Sequence, residues 1–325
     1  MNVLYILGNG FDKAQNLKTS YPEFYDYLEK QEGSVLLQEL KSSIKRDKKL
    51  WSDMEEAFGE FTSEINSEEA FTDLYFELSG HLQTYLALEN NKFTPSDELK
   101  NKFQADFVAF SRYLGELDKM RYSNFTALFR NTNVEINVMT LNYTFVLENL
   151  LSIKNRESNV EKTLGGSRIL HNIVHVHGVL EDTIIIGVDN EQQIANQDFQ
   201  MNENVKDLLI KFQSNHAMKL LRHENCEAYI KNANLIILYG VSLGNTDLRW
   251  WNLIGQELKK RNNLAIIQHL YYANSIRATQ RQLLARIERN HQNTFMQKVG
   301  IKPDEWTQKI TDRLFFTVNS NIFKK

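Results

Sequence analysis

The chain begins with a short apolar run, Asn2 to Leu7, that stops at Gly8-Asn9-Gly10. Such a run bounded by glycine predicts a buried strand. From about Tyr21 the apolar spacing changes to threes and fours. Trp51, Met54, Phe58, Phe61 and Ile65 form one stripe; Phe71, Leu74, Leu78, Leu82 and Tyr85 form another. Phe103, Phe107, Phe110, Leu114 and Leu117 form a third. These are the core-facing sides of amphipathic helices, so residues 21–131 read as a helical block. Ser20 and Glu23, with Pro22 between them, make a capping-box start for its first helix.

Strand-like runs resume with EINVMTLNY, ILHNIVHVHG, TIIIGV, NLIILYG and LAIIQHLYYA. Helical spacing lies between and after them at 205–231, 246–260, 275–291 and 303–313. Alternating apolar strands and helices predict an α/β fold, a doubly wound and mainly parallel sheet covered on both faces. Residues 1–20 and 132–325 would form this nucleotide-binding α/β domain. Residues 21–131 would be a large helical insertion, or lid, after the first strand. The polar stretch 154–168 is the best candidate for a mobile loop.

Composition narrows the function classes. Thirty-eight Lys and Arg against 41 Asp and Glu give a net charge of −3, without the basic excess of a phosphate-tracking nucleic-acid binder. Cys226 is the only cysteine, which excludes internal disulfides and clustered-cysteine zinc sites; its helical surroundings read as core. No basic-plus-apolar leader begins the chain, and no apolar run approaches the roughly 20 residues that span a bilayer. The expectation is a soluble, cytoplasmic protein without a membrane partner.

Ligands of open α/β sheets bind beyond the carboxyl ends of the strands. That rule selects Gly8, Asn9, Gly10 and Asp12; Asn142 and Tyr143; His177 and Gly178; Gly187 and Asp189; Gly240 and Ser242. Gly8 and Gly10 would let a backbone approach a phosphate, or form a plain turn. The G-x-G-x-x-G fingerprint fails at Lys13, which argues against an ordinary dinucleotide site. His175 and His177 are two apart, on one face of a strand. His175 reads as a hydrogen-bonded core residue and His177 as a general base or ribose contact, and no further ligand suggests a metal. The Asn142 amide can donate and accept, suiting a ribose hydroxyl and a water, or an Asx turn. Asn245 or Thr246 would cap the following helix, with Asp247 complementing its dipole. Trp250 and Trp251 would divide between core and interface. Glu55 would reach inward if the helical block folds over the sheet.

Taken together, LGNGFD (7–12) with LKTSYPEF (17–24), WSDMEE (51–56), LNYT (141–144), HVHG (175–178), IIIGVDN (184–190) and YGVSLGNTD (239–247) resemble the abortive-infection H (AbiH) family of bacteriophage-defence proteins. That family resembles a distant branch of the sirtuin-like NAD-binding fold. The resemblance implies a nucleotide loop at Gly8 and Gly10, catalytic Asn142 and His177, and a late Gly-x-Ser loop at Gly240 and Ser242. Thr144 stands where sirtuins carry an aspartate, and Phe11 and Asp12 replace small residues. With one cysteine the four-cysteine zinc module is excluded, which disfavours protein deacetylation.

The expected function is an anti-phage effector that hydrolyses the nicotinamide–ribose bond of NAD. Asn142 and His177 would be catalytic. Gly8, Asn9, Gly10, Asp12, Tyr143, Gly178, Gly240, Ser242 and Asp247 would bind the nucleotide, NAD or an ADP-ribose-like molecule, without a metal. The alternatives are a non-catalytic nucleotide sensor and a nuclease or RNA-directed toxin, the latter disfavoured by the balanced charge. A second copy of the chain and a phage-derived trigger or defence-system component are the partners left open.

Overall fold

The computed structural model describes residues 1–130, 132–154, 159–272 and 281–324. Seven strands form one sheet: β1 (Asn2–Leu7), β2 (Val134–Thr140), β3 (Asn159–Gly165), β4 (Arg168–His175), β5 (Leu235–Tyr239), β6 (Ala265–Leu270) and β7 (Leu314–Val318). Their spatial order is β3-β4-β2-β1-β5-β6-β7. All neighbours run parallel except β3, which pairs antiparallel with β4 at one edge. The sheet grows outward from β1 in both directions, first through β2 and β4, then through β5, β6 and β7. The topological switch point therefore lies at β1.

Alternation along β1 feeds two faces. Val3, Tyr5 and Leu7 pack in one core with Phe103, Phe107, Tyr122 and Phe125 from the helices Asp97–Phe107 and Glu116–Thr126. Tyr5 stacks on Phe107, with ring centroids 4.3 Å apart, and its hydroxyl donates to the Phe107 carbonyl at 2.7 Å. Leu4 and Ile6 face the opposite core, with Cys226, Trp250, Trp251 and Phe295. Both faces are thus covered, as the apolar runs predicted. A third core joins the helices between Tyr21 and Asn91 to Ile184, Ile186, Val188 and Leu209. The segment 21–131 therefore contributes to two cores, one of them against the sheet.

The capping box at Ser20 forms, with its N–H donating to Glu23 Oε2 at 3.0 Å. The first two aromatic stripes are buried throughout. The third breaks: its helix ends at Phe107, a new one starts after Gly115, and Leu117 is exposed.

Several expectations are corrected. TIIIGV is not a sheet strand. It forms only bridges, Gly178 to Ile184 and Val188 to Ile210, and its isoleucines are buried, Ile184 and Ile186 in the helical core. An apolar run marks burial, and a strand is only one way to bury it. Residues 159–165 of the expected mobile loop form β3, turned back on β4 through Gly165 and Gly166 at φ +116° and +57°; residues 155–158 lie outside the described residues. The helical pattern 303–313 shrinks to a 3-10 turn at Pro303–Glu305 and the helix Gln308–Thr311, and LFFTV, unassigned from sequence, is β7. Of the pattern 275–291, residues 275–280 lie outside the described residues, and the helix Arg281–Lys298 follows. The pattern 205–231 divides into Glu203–Leu209, Lys211–Ala217 and Arg222–Asn232. Its first break is at Ile210, whose extended backbone (φ −90°, ψ 110°) pairs with Val188. Trp250 and Trp251 are both buried in the core against β1, and Trp251 donates its indole N–H to the Gly244 carbonyl at 3.0 Å.

Candidate active site

A cavity of about 350 Å³ opens beyond the carboxyl ends of β1, β2, β4 and β5. Gly8, Asn9, Gly10, Asp12, Leu141 to Thr144, His177 and Gly240 to Ser242 line it from the sheet side. Thr19 and Ser20 lead into the helical block, which contributes Tyr21, Pro22, Ser52, Asp53, Glu55, Leu82 and Leu86. Of the residues expected at the site, Gly8, Asn9, Gly10, Asp12, Asn142, Tyr143, His177, Gly240, Ser242 and Asp247 meet here. Gly178 does not. It turns the chain at φ +90°, and a Cβ there would stand 1.9 Å from the Thr183 carbonyl oxygen. Asp189 lies off the cavity too, where its Oδ1 accepts the Arg249 N–H at 3.1 Å.

The glycine loop is built for contact between two loops. Gly8 and Gly10 donate their N–H groups to the carbonyls of Tyr239 and Gly240, each at 3.0 Å. A Cβ on Gly10 would stand 2.5 Å from the Gly240 Cα, and one on Gly240 would stand 2.5 Å from the Phe11 nitrogen. Gly240 also has φ +69°, where side chains are strained. The two donors expected to hold a pyrophosphate are thus engaged by β5 and the turn that follows it. Neither Gly8 nor Gly10 has positive φ, so close approach between backbones explains them.

Asp12 sits beneath Asn142. Its Oδ1 accepts from Asn142 Nδ2 at 2.9 Å and its Oδ2 from Thr144 Oγ1 at 2.6 Å. Burial raises its pKa from 3.8 to about 7 against these hydrogen bonds. Asn142 Nδ2 also donates to the Gly8 carbonyl at 3.2 Å. With both amide protons engaged, Asn142 presents its Oδ1, an acceptor, to the cavity. Thr144, standing where an aspartate was expected by resemblance, is the residue that steadies Asp12. Tyr143 donates its hydroxyl to the Ile185 carbonyl at 2.9 Å, anchoring the β2 loop to the helical core.

The two histidines have separate partners. His175 binds the Asn142 carbonyl through Nδ1 at 2.7 Å and Glu148 Oε1 through Nε2 at 2.8 Å, the buried structural role expected of it. His177, 3% exposed, meets Asp247 Oδ1 through Nε2 at 3.1 Å. Burial, helped by the Lys211 charge, lowers its pKa and keeps the ring neutral. Asp247 stays ionised: burial opposes it, but Lys211 and His177 hold its carboxyl well below the usual range. An ionised carboxylate can only accept, so Nε2 carries the proton and Nδ1 the lone pair. Nδ1 is buried and has no hydrogen-bond partner.

Lys211 organises the deeper wall. Its ammonium donates to Glu55 Oε2 at 2.7 Å, Asp247 Oδ1 at 3.2 Å and the Thr246 carbonyl at 3.1 Å, with the side chain 3% exposed. Glu55 also accepts from Thr246 Oγ1 at 3.1 Å and the Gly187 N–H at 3.3 Å. Burial, reinforced by Asp247 and Asp53 and opposed by Lys211, raises Glu55 to about 7. Glu55 does reach inward, as its candidacy required. Asp247, expected to act through the helix Leu248–Lys260 that follows it, makes no side-chain capping bond. Its carboxylate is turned to His177 and Lys211 instead. Asn245 and Thr246 likewise bind Glu56 and Glu55 rather than capping. Lys211 escaped the sequence reading. The available signal was a lysine inside the apolar run LLIKF, at the point where the chain breaks between two helices.

No helix among the described residues is long and apolar enough to cross a membrane. No curated protein matches the chain in sequence. The family model described as "Bacteriophage abortive infection AbiH" matches residues 4–269, which takes in the glycine loop, Glu55, Asn142, His177, Lys211 and Asp247. The chain belongs to the AbiH family of bacteriophage abortive infection proteins.

Proposed function

We propose that the chain serves abortive infection as an NAD glycohydrolase, breaking the nicotinamide–ribose bond in the cavity above β1. The observation that carries this reading is His177, a residue of the cavity lining: a neutral imidazole, fixed in one tautomer by Asp247, whose buried Nδ1 has no hydrogen-bond partner. The parallel strands alone, numbered in chain order, run 3-2-1-4-5-6. This is the order of doubly wound dinucleotide-binding sheets, whose ligands sit at the switch point. A sirtuin-like relationship of the fold belongs to the same proposal.

The reaction needs few parts. The bond between the ribose carbon and the pyridinium nitrogen breaks, its electron pair stays on nitrogen, and nicotinamide leaves neutral. The ribose becomes an oxocarbenium-like cation, as in glycoside hydrolysis. Asn142 Oδ1 accepts a hydrogen bond from the attacking water or a ribose hydroxyl. The water adds to the ribose carbon, and its proton passes to His177 Nδ1. Asp247 stabilises the imidazolium that forms.

The test is nicotinamide release from NAD by the purified protein, alone and with phage lysate. Release should fall by about 10²–10⁴-fold in Asn142→Ala and His177→Ala. No release under any activation, or full turnover in both variants, overturns the reading. Saturable NAD binding without release would make the pocket a sensor.

A further inference from the structure

The charges on the cavity wall are of one sign. Asp12, Asp53, Glu55 and Asp247 line it, with Asp12 and Glu55 held by burial near 7, and among the described residues no lysine or arginine does. Lys211 stands behind the wall with its donors already engaged by Glu55, Asp247 and the Thr246 carbonyl. One ammonium against two carboxylates leaves that cluster without surplus positive charge. The Asp53 carboxylate accepts the N–H groups of Glu55 and Glu56 at 3.2 and 3.3 Å and forms no ion pair among the described residues.

A second observation concerns hydrogen-bonding type. The Gly8 and Gly10 N–H groups, which would receive a phosphate, are bound to carbonyls. His177 Nδ1, buried and unpartnered, and Asn142 Oδ1 are both acceptors. Enclosed low-dielectric walls of one sign focus their field on whatever enters. This wall attracts a cation with donor groups and repels a phosphate. The volume, about 350 Å³, is at the small end of the roughly 300–1,000 Å³ typical of ligand pockets, which suits one nucleoside rather than a whole dinucleotide.

We propose that the cavity selects N-ribosylpyridinium cations as a substrate class. It takes the positively charged nicotinamide riboside end and leaves any phosphates outside. The choice of a ribosyl bond rests on the glycohydrolase reading; the charge selectivity rests on the lining itself. On cleavage the bonding pair neutralises the pyridinium nitrogen, and the positive charge moves to the ribose carbon, facing the same carboxylates. Once water adds and gives its proton to His177, neutral nicotinamide is no longer held by the field. A phosphate-free riboside is accordingly a substrate, and the reduced, neutral dihydropyridine is a poor ligand.

Calorimetric titration of the full chain with nicotinamide riboside, its dihydro form and ADP-ribose tests this directly. Nicotinamide riboside should bind at least about tenfold more tightly than the nearly isosteric neutral form. Asp53→Asn keeps a capping side chain but removes one charge, and should cut that preference about threefold or more. Equal affinity for the two ribosides, undetectable binding of nicotinamide riboside, or tighter binding of ADP-ribose each overturns the proposal. Cation-selective binding with no nicotinamide released from the riboside or NAD would sustain it while refuting the glycohydrolase. NAD cleavage without charge preference would do the reverse.

Discussion

His177 and Asp247, 70 positions apart in the chain, meet through Nε2 and Oδ1 at 3.1 Å. The contact sets which imidazole nitrogen can take a proton, and Lys211 sets the ionisation of Asp247. In Asp247→Asn the amide can donate to Nε2 and move the ring proton to Nδ1. The lone pair then faces away from the substrate. We expect kcat for NAD hydrolysis to fall about 10²–10⁴-fold with KM little changed, measured by nicotinamide release beside a thermal unfolding scan. A change confined to KM would remove His177 from the proton transfer.

The same base sets a pH limb. Burial and the Lys211 charge place His177 below the ordinary 6.5. Its base form therefore predominates at neutral pH, and the rate should fall as pH drops below about 6.5. A rate profile with its acid limb above pH 7 would contradict this assignment.

Lys211 is the one cation between two buried carboxylates. Replacing it with methionine leaves Glu55 and Asp247 unpaired in low dielectric, and should cost about 3–5 kcal/mol of stability. Chemical denaturation measures it. The double variant Glu55→Gln, Lys211→Met should lose less than the two single losses added together, because the partners share one interaction.

Asp12 links stability to pH. Its folded value, about 7, lies above the ordinary 3.8. Between those values the folded chain holds a proton that the unfolded chain has released. Its stabilising contribution is therefore present at low pH and lost as pH rises through about 7. From pH 6 to 8 this group should remove about 1 kcal/mol, with Glu55 adding in the same direction. Asp12→Asn should flatten the slope in urea unfolding at the two pH values.

The loop junction should tolerate no side chain. Gly240→Ala places a methyl against the Phe11 nitrogen and Gly10 backbone at a φ of +69°. A loss of about 2–4 kcal/mol, with weakened riboside binding, is expected from backbone strain and overpacking together. Stability equal to the parent would show that the two loops can separate without penalty.

Periodicity alone determined a large share of this molecule. The three-and-four spacing of Trp51 to Ile65 and of Phe71 to Tyr85 marks buried helix faces, because each stripe needs only a local repeat. The apolar runs before Gly8, Asn142 and Gly240 mark parallel strands, and the strand-end rule then collects Asn142, His177 and Ser242 at one cavity. Local patterns cannot distinguish ways of being buried, so TIIIGV read as a strand although its neighbours are helices. LFFTV went unassigned because an expected helix overran the short turn before it. Tertiary structure alone decided the chemistry. Glu55 and Lys211 are 156 positions apart, and nothing near either one reports the other. Their meeting depends on the interruption of the helix at Ile210 and on the helical block reaching the sheet. Asp247 read as an adjunct of its helix because local sequence shows only the nearest positive pole. Asp12, Asn142 and Thr144 became one network only when β1 and β2 paired. Glycines 8, 10 and 240 show the division most simply: local pattern names neither their neighbour nor their purpose, and the fold presses two backbones together where any Cβ would intervene.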